Sequence, residues 1–155
     1  MYDIEMLYEA KSVDDAVKTL AADHKAIIIA GGTDVLVNIR AGKIAAAHLI
    51  SIHGLHDELD GVSLSDDGTI EIGPLTWFHH VVTSPIVQAT VPTLGDACNT
   101  PGGPQLRVSG TIGGNICTAA TSGDSASTLF AYGALLDVRS VRGIRTIPIE
   151  KWYAG

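Results

Sequence analysis

Cysteine, cations and long apolar runs are all scarce in this chain, and each shortage removes a class of protein. The two cysteines, Cys98 and Cys117, make neither a disulfide framework nor a metal-ligand spacing; they suit the reduced thiols of a cytosolic protein. Lys and Arg number 10 against 17 Asp and Glu, a net charge of −7. That balance argues against nucleic acid or an anionic membrane as the main partner. No apolar run is long enough to span a bilayer, and no basic-then-apolar leader opens the chain, so the expected compartment is the cytoplasm. The Walker sequence Gly-Lys-Ser/Thr and the Gly-x-Gly-x-x-Gly fingerprint are both missing. No Ser-His-Asp set or carboxylate pair stands out. The six histidines include His53, His56, His79 and His80, but no carboxylate or thiol sits at supporting spacing. They read as surface or packing residues, with no metal and no side-chain catalyst expected. Internal repeats and low-complexity segments are also lacking.

What remains is a well-formed globular sequence. Apolar residues make up 46% and charged residues 17% of 155, enough for a core and too apolar for disorder. The length suits one domain or two small lobes. Two stretches concentrate glycine with small polar side chains: Ala30-Gly31-Gly32-Thr33-Asp34 and Ser109-Gly110-Thr111-Ile112-Gly113-Gly114-Asn115-Ile116-Cys117-Thr118. Glycine lets another group approach the backbone closely and can turn N–H groups inward. Such loops suit a phosphate or a polyhydroxyl chain. The first could also be an ordinary tight turn. The second is the more specific, because a structural bulge needs one glycine rather than a cluster.

In chain order, Met1 to Glu9 alternates as an entry strand, and Ser12 caps a helix over Val13–Ala22. Ala26–Ala30 is an uninterrupted β-branched run, the pattern of a strand buried on both faces. The first glycine turn breaks it. A short helix over Val35–Arg40 and a strand over Ala47–Ile52 complete a small α/β lobe over residues 1–55. The texture then changes. Gly61–Leu64 and Thr69–Ile72 flank Ser65-Asp66-Asp67-Gly68 as a hairpin. Thr76 is placed to cap a helix over Trp77–Thr83, and further helical turns follow over Pro85–Thr90 and Val91–Cys98. Pro101-Gly102-Gly103-Pro104 reads as irregular. Ser125–Gly133 reads as a helix with Ser125 or Asp124 as cap. Leu135–Val141 and Arg145–Ile149 form a hairpin around Arg142-Gly143. Residues 56–155 thus read as an α+β lobe with an antiparallel sheet, and Trp152 and Tyr153 as exposed aromatics on a new loop. Cys117 reads as a small buried filler. Asp124 could cap the helix or accept hydrogen bonds from ribose or ribityl hydroxyls, and the two roles are compatible.

At Ala30–Asp34 and Thr111–Cys117 the sequence resembles the FAD-binding subunits of molybdenum-containing hydroxylases, above all the medium subunit of bacterial xanthine dehydrogenases. Ser51-Ile52, Gly103-Pro104-Gln105, Thr121–Ala126, and Arg142-Gly143 before Ile147-Pro148-Ile149 extend the match. The resemblance implies a PCMH-type fold with FAD held between the α/β and antiparallel lobes. It implies that N–H groups of Gly31, Gly32, Thr33 and Asp34, in the turn that Ala30 opens, hold the pyrophosphate. Thr111, Gly114, Asn115 and Thr118 would line the pyrophosphate and ribityl chain, and Asp124 would accept a hydrogen bond from the cofactor. Ile28, Ile29, Val35, Leu106 and Gly110 would make apolar or backbone contacts.

In such enzymes electrons pass from substrate at a molybdenum centre, through two [2Fe–2S] clusters, to FAD and on to NAD+. This chain has no cysteine set for clusters, so a molybdenum-binding large subunit and a [2Fe–2S] small subunit are the implied partners. Three departures stand out. Val108 follows Arg107 where the family often has Asn. A cysteine-bearing [4Fe–4S] insertion known in some relatives is missing. The family's C-terminal α+β domain is expected to be absent, which implies an isolated chain that is inactive by itself.

Overall fold

A computed structural model describes residues 2–119, 123 and 125–153. The first part of the chain runs β1 (Ile4–Glu9), α1 (Val13–Ala22), β2 (Ala26–Ile29), α2 (Val35–Arg40) and β3 (Ala47–Ser51). The three strands make a parallel sheet in the order β1-β3-β2. Ser12 caps α1 as its sequence position requires: its Oγ accepts the Asp15 N–H at 3.1 Å. Successive residues of a strand face opposite ways, so the sheet feeds two cores. Ile50 packs with Ala16 of α1, Leu55 and Leu75. Leu49 packs with Ile29 and with Ile39 of α2. A strand with both faces covered needs an apolar residue at every position, which is why Ala26–Ile29 does not alternate.

After a 3-10 turn at His53–Leu55 come α3 (His56–Leu59) and the strands β4 (Val62–Leu64) and β5 (Ile70–Ile72). Four helices follow: α4 (Phe78–Thr83), α5 (Pro85–Thr90), α6 (Pro92–Asn99) and α7 (Pro104–Arg107). Then come α8 (Ile112–Thr118), α9 (Ala126–Ala131), β6 (Leu135–Ser140), β7 (Gly143–Pro148) and α10 (Ile149–Trp152). A third core gathers Phe78, Val81, Val87, Leu94, Cys98, Ile112, Leu129 and Ile149.

The α+β class follows from these elements, but several local expectations are corrected. β4–β5 and β6–β7 are two separate two-stranded hairpins among the described residues, not one sheet. Thr76 does not cap α4. It is fully buried, and its hydroxyl accepts the Gly61 N–H at 2.9 Å and donates to the Gly61 carbonyl at 3.0 Å. Pro104 sits in the first turn of α7, where its missing N–H costs nothing. The β6–β7 turn is Val141-Arg142, and Gly143 opens β7 with φ +112. Ser125 makes no side-chain cap bond to α9. Trp152 and Tyr153 are half-buried rather than exposed: the indole N–H and the phenol both donate to the Ile116 carbonyl, at 3.4 and 3.2 Å. Cys117 is exposed, and the buried cysteine is Cys98. Asp124 and residues 120–122 lie outside the described residues, so the cap and cofactor roles expected of Asp124 stay with its sequence position.

Candidate functional site

The C-terminal end of β2 delivers the first glycine stretch. Gly32 has φ +71, a left-handed conformation that favours glycine. Its carbonyl accepts the Leu36 N–H at 3.1 Å, and the Asp34 carbonyl accepts the Asn38 N–H at 3.0 Å, so the turn leads directly into α2. The Asp34 side chain does not cap that helix. Its carboxylate is taken by the Asn38 amide at 2.8 Å. Among the described residues, the N–H groups of Gly31, Gly32, Thr33 and Asp34 donate no hydrogen bond. Four successive unpartnered donors are unusual in a folded chain, and Thr33 and Asp34 are exposed. Such a row of donors suits acceptor oxygens of the kind a diphosphate carries.

The second stretch is a helix where a loop is expected. Thr111 is the N-cap of α8, and its Oγ1 accepts the Gly114 N–H at 3.1 Å. The Ile112 N–H donates to the Thr76 carbonyl and the Gly113 N–H to the Pro74 carbonyl, both at 3.0 Å. These three amides are therefore spent on the protein itself. Pro74, which the sequence did not mark, and Thr76, marked only as a cap, supply two of the acceptors. The extended run before α4 carries no signature of that job. Gly113 is structural, since a Cβ there would lie 2.6 Å from the Pro74 carbonyl oxygen. Gly114 is exposed, and a Cβ there would meet only the Thr111 hydroxyl, at 2.9 Å. It is the glycine of this stretch that leaves room for a ligand.

The two stretches touch. A Cβ on Gly31 would lie 1.7 Å from the Ser109 carbonyl oxygen, so only glycine fits. Gly110, beside it, is buried; its N–H donates to the Leu106 carbonyl at 2.7 Å, and its carbonyl accepts the Phe78 N–H at 3.0 Å. Leu106 itself is exposed.

The other expected residues divide. Thr118 is exposed and one helix turn beyond Gly114, but its hydroxyl proton is given to the Gly114 carbonyl at 2.9 Å. It can therefore offer a ligand only lone pairs. The Asn115 side-chain oxygen accepts from the Ser125 hydroxyl at 2.8 Å, and its NH2 has no partner among the described residues. Ile29 is buried in the core under α2, with Val35 packed beside it, and Ile28 lines a separate cavity of about 430 Å³ between α1, α3 and the β6–β7 hairpin. None of Gly31–Asp34 lines that cavity. Ile28 and Ile29 end the strand β2, which leads through Ala30 into the first glycine stretch. Cys117, one turn along α8, has its thiol pushed up by desolvation on its protein-facing side, which keeps it protonated. Burial and the nearby Cys117 likewise raise the Tyr153 phenol.

A family model described as the FAD binding domain in molybdopterin dehydrogenase matches residues 2–155. The xanthine dehydrogenase FAD-binding subunit of Escherichia coli O157:H7 is 39% identical over 155 residues, covering 100% of this chain and 53% of that subunit. The nicotinate dehydrogenase FAD-subunit of Eubacterium barkeri is 33% identical, covering 100% of this chain and 52% of its own. Among solved structures, carbon monoxide dehydrogenase from Hydrogenophaga pseudoflava superposes with a TM-score of 0.95 at 31% identity, over 100% of this chain and 54% of that one. The chain thus spans about half the length of the relatives it matches.

Proposed function

Because the chain belongs to the FAD-binding domain family of molybdopterin dehydrogenases, we propose that it is the flavin-holding portion of a xanthine dehydrogenase-like electron-transfer subunit working in the cytoplasm. The observation that carries this reading is the first turn. Four consecutive N–H groups without acceptors stand beside a second stretch that Gly31 brings into direct contact. The residues fit the cofactor: the Gly31–Asp34 amides would hold the diphosphate, and Gly114 leaves space for it to pass. The Asn115 NH2 and the Thr118 lone pairs suit hydroxyls of the ribityl chain.

Bound FAD would accept single electrons from [2Fe–2S] clusters on a small partner subunit and release a hydride to NAD+, with a molybdenum-binding large subunit oxidising the substrate. The part of this chain is to bind and orient. Its backbone donors neutralise diphosphate charge without Lys or Arg, so an acidic chain can still hold an anion. Residues 1–55 and 56–155 act as two lobes that each give one stretch to the site. The xanthine assignment follows the 39% identity to the xanthine dehydrogenase subunit, against 33% to the nicotinate enzyme.

Two measurements test this. Protein purified under native conditions should carry the flavin absorbance; a colourless chain that also fails to take up added FAD reduces it to a scaffold. Reconstitution with its partner subunits should give purine-dependent NAD+ reduction, and turnover of nicotinate or carbon monoxide instead would reassign the substrate. The chain by itself should reduce no NAD+ with purine.

A further inference from the structure

Trp77 is a large aromatic that the three cores leave out, as they do Trp152. It is half-buried and belongs to none of them. It packs edge-on against His56, ring centroids 4.9 Å apart, and His56 packs edge-on against His53 at 5.2 Å. Among the described residues its indole N–H donates no hydrogen bond.

The backbone fixes where this row lies. Trp77 and Thr111 form an antiparallel bridge. The bonds on either side of it, Phe78 N–H to the Gly110 carbonyl and Ile112 N–H to the Thr76 carbonyl, are both 3.0 Å. Trp77 and Thr111 are therefore a non-hydrogen-bonded pair, whose side chains stand close together on one side. Thr111 fills the N-terminus of α8, so the indole stands beside it. At the other end, Ile29 pairs with Ser51, and the Ile52 N–H donates to the Ile29 carbonyl at 3.0 Å. His53 follows the end of β3 by two residues, as Gly31 follows the end of its paired strand β2. His53 is exposed. The row His53-His56-Trp77 thus adjoins the second glycine stretch through the Trp77–Thr111 bridge, and its far end follows β3, the strand paired with the one that leads into the first.

From this geometry we propose that Trp77, backed by His56 and extended by His53, is a stacking platform for a flat heteroaromatic ring of the bound dinucleotide. The inference rests on the FAD reading above and deepens it. An aromatic face at the edge of a nucleotide site gives up little order on binding, since its rings already hold one another. Ring-on-ring stacking tolerates either the adenine or the flavin ring.

The test separates the two rings and keeps the proposal apart from FAD binding itself. Oxidation of the full chain by N-bromosuccinimide is followed by mass spectrometry with no ligand, FAD, FMN or ADP. Trp77 should be modified in free protein and protected by FAD. Protection by FMN assigns the flavin ring; protection by ADP assigns adenine. Trp77→Leu should weaken FAD binding about tenfold, from the usual size of base–aromatic stacking, and Trp77→Phe should restore most of it. FAD that binds wild type yet leaves Trp77 as reactive as before overturns the platform while the FAD assignment stands. An unchanged Kd in a folded Trp77→Leu does the same. Failure of wild type to bind FAD overturns the assignment and the platform together. Should Trp77→Leu not fold, the protection measurement on wild type still decides.

Discussion

Gly31 and Gly114 look alike in the sequence and do different work. A methyl on Gly31 would meet a backbone carbonyl at 1.7 Å, which cannot rotate away. Gly31→Ala must therefore separate the two stretches. The expected cost is about 1–3 kcal/mol or more of stability, together with loss of FAD occupancy; denaturant unfolding and flavin content measure the two. Gly114→Val meets only a rotatable hydroxyl. It should lower flavin occupancy with a stability change of no more than about 1 kcal/mol, the worth of the Thr111 cap. Unchanged flavin in a folded Gly114→Val would detach α8 from the cofactor. The presence of both glycines was legible, since clusters of glycine with Thr and Asn are rare without a reason. Their division of labour was not. It depends on the Ser109 and Pro74 carbonyls, which only the folded chain brings near. Thr76 shows the same limit from the other side: a Thr just before a helical run reads as a cap, yet tertiary packing gave its hydroxyl to Gly61 and left the helix uncapped.

At the scale of elements, local signals were good guides wherever one segment decided its own fate. The parallel unit was visible from the capped α1, the β-branched β2 and the glycine turn after it. The α8 helix was hidden, because Gly-Gly opposes helix formation by propensity. What overrides it is the set of acceptors for its first N–H groups: Thr111, Thr76 and Pro74. The sheet also carries a clasp the sequence did not announce. His48 on the central strand β3 meets Asp23 at 2.5 Å through Nδ1 and Glu5 of β1 at 3.3 Å through Nε2. The second contact is the looser of the two, and Glu5 adds to the upward shift of His48 behind Asp23. The Asp23 hydrogen bond chiefly raises the His48 pKa, and the same bond lowers that of Asp23. The signs set a window. The His48 contribution is complete below its ordinary value of 6.5 and fades as pH climbs through the raised value. The Asp23 contribution is complete above 3.8 and fades as pH falls through the lowered one. Wild type should therefore lose thermal stability on passing from mildly acidic to alkaline pH by more than His48→Gln does. Parallel Tm–pH curves for the two proteins would remove His48 from the account.

Among the described residues, three contacts illustrate how the molecule joins its parts. Gly31 abuts Ser109, Leu75 enters the core under α1, and Arg139 of the β6–β7 hairpin reaches Asp14 of α1 at 2.7 Å. The last of these is exposed at both ends and worth little. A ligand that bonds the first turn and crosses Gly114 would be a stronger tie than any of them. Because it binds only where both stretches are assembled, it must stabilise the folded chain by mass action, about 2.7 kcal/mol at a hundredfold excess over Kd. That corresponds to a rise in Tm of several degrees, growing with ligand concentration. The free donors say which ligands share the effect. If the amides of Gly31–Asp34, unpartnered among the described residues, hold a diphosphate as proposed, FAD should raise Tm most and ADP should retain part of the rise. FMN, with one phosphate, should give less than FAD even where both saturate their absorbance. Equal shifts with FMN and FAD would mean that the flavin ring alone does the holding. The glycine turn would then be a way of bringing two stretches of backbone together, and its four open amides would face water.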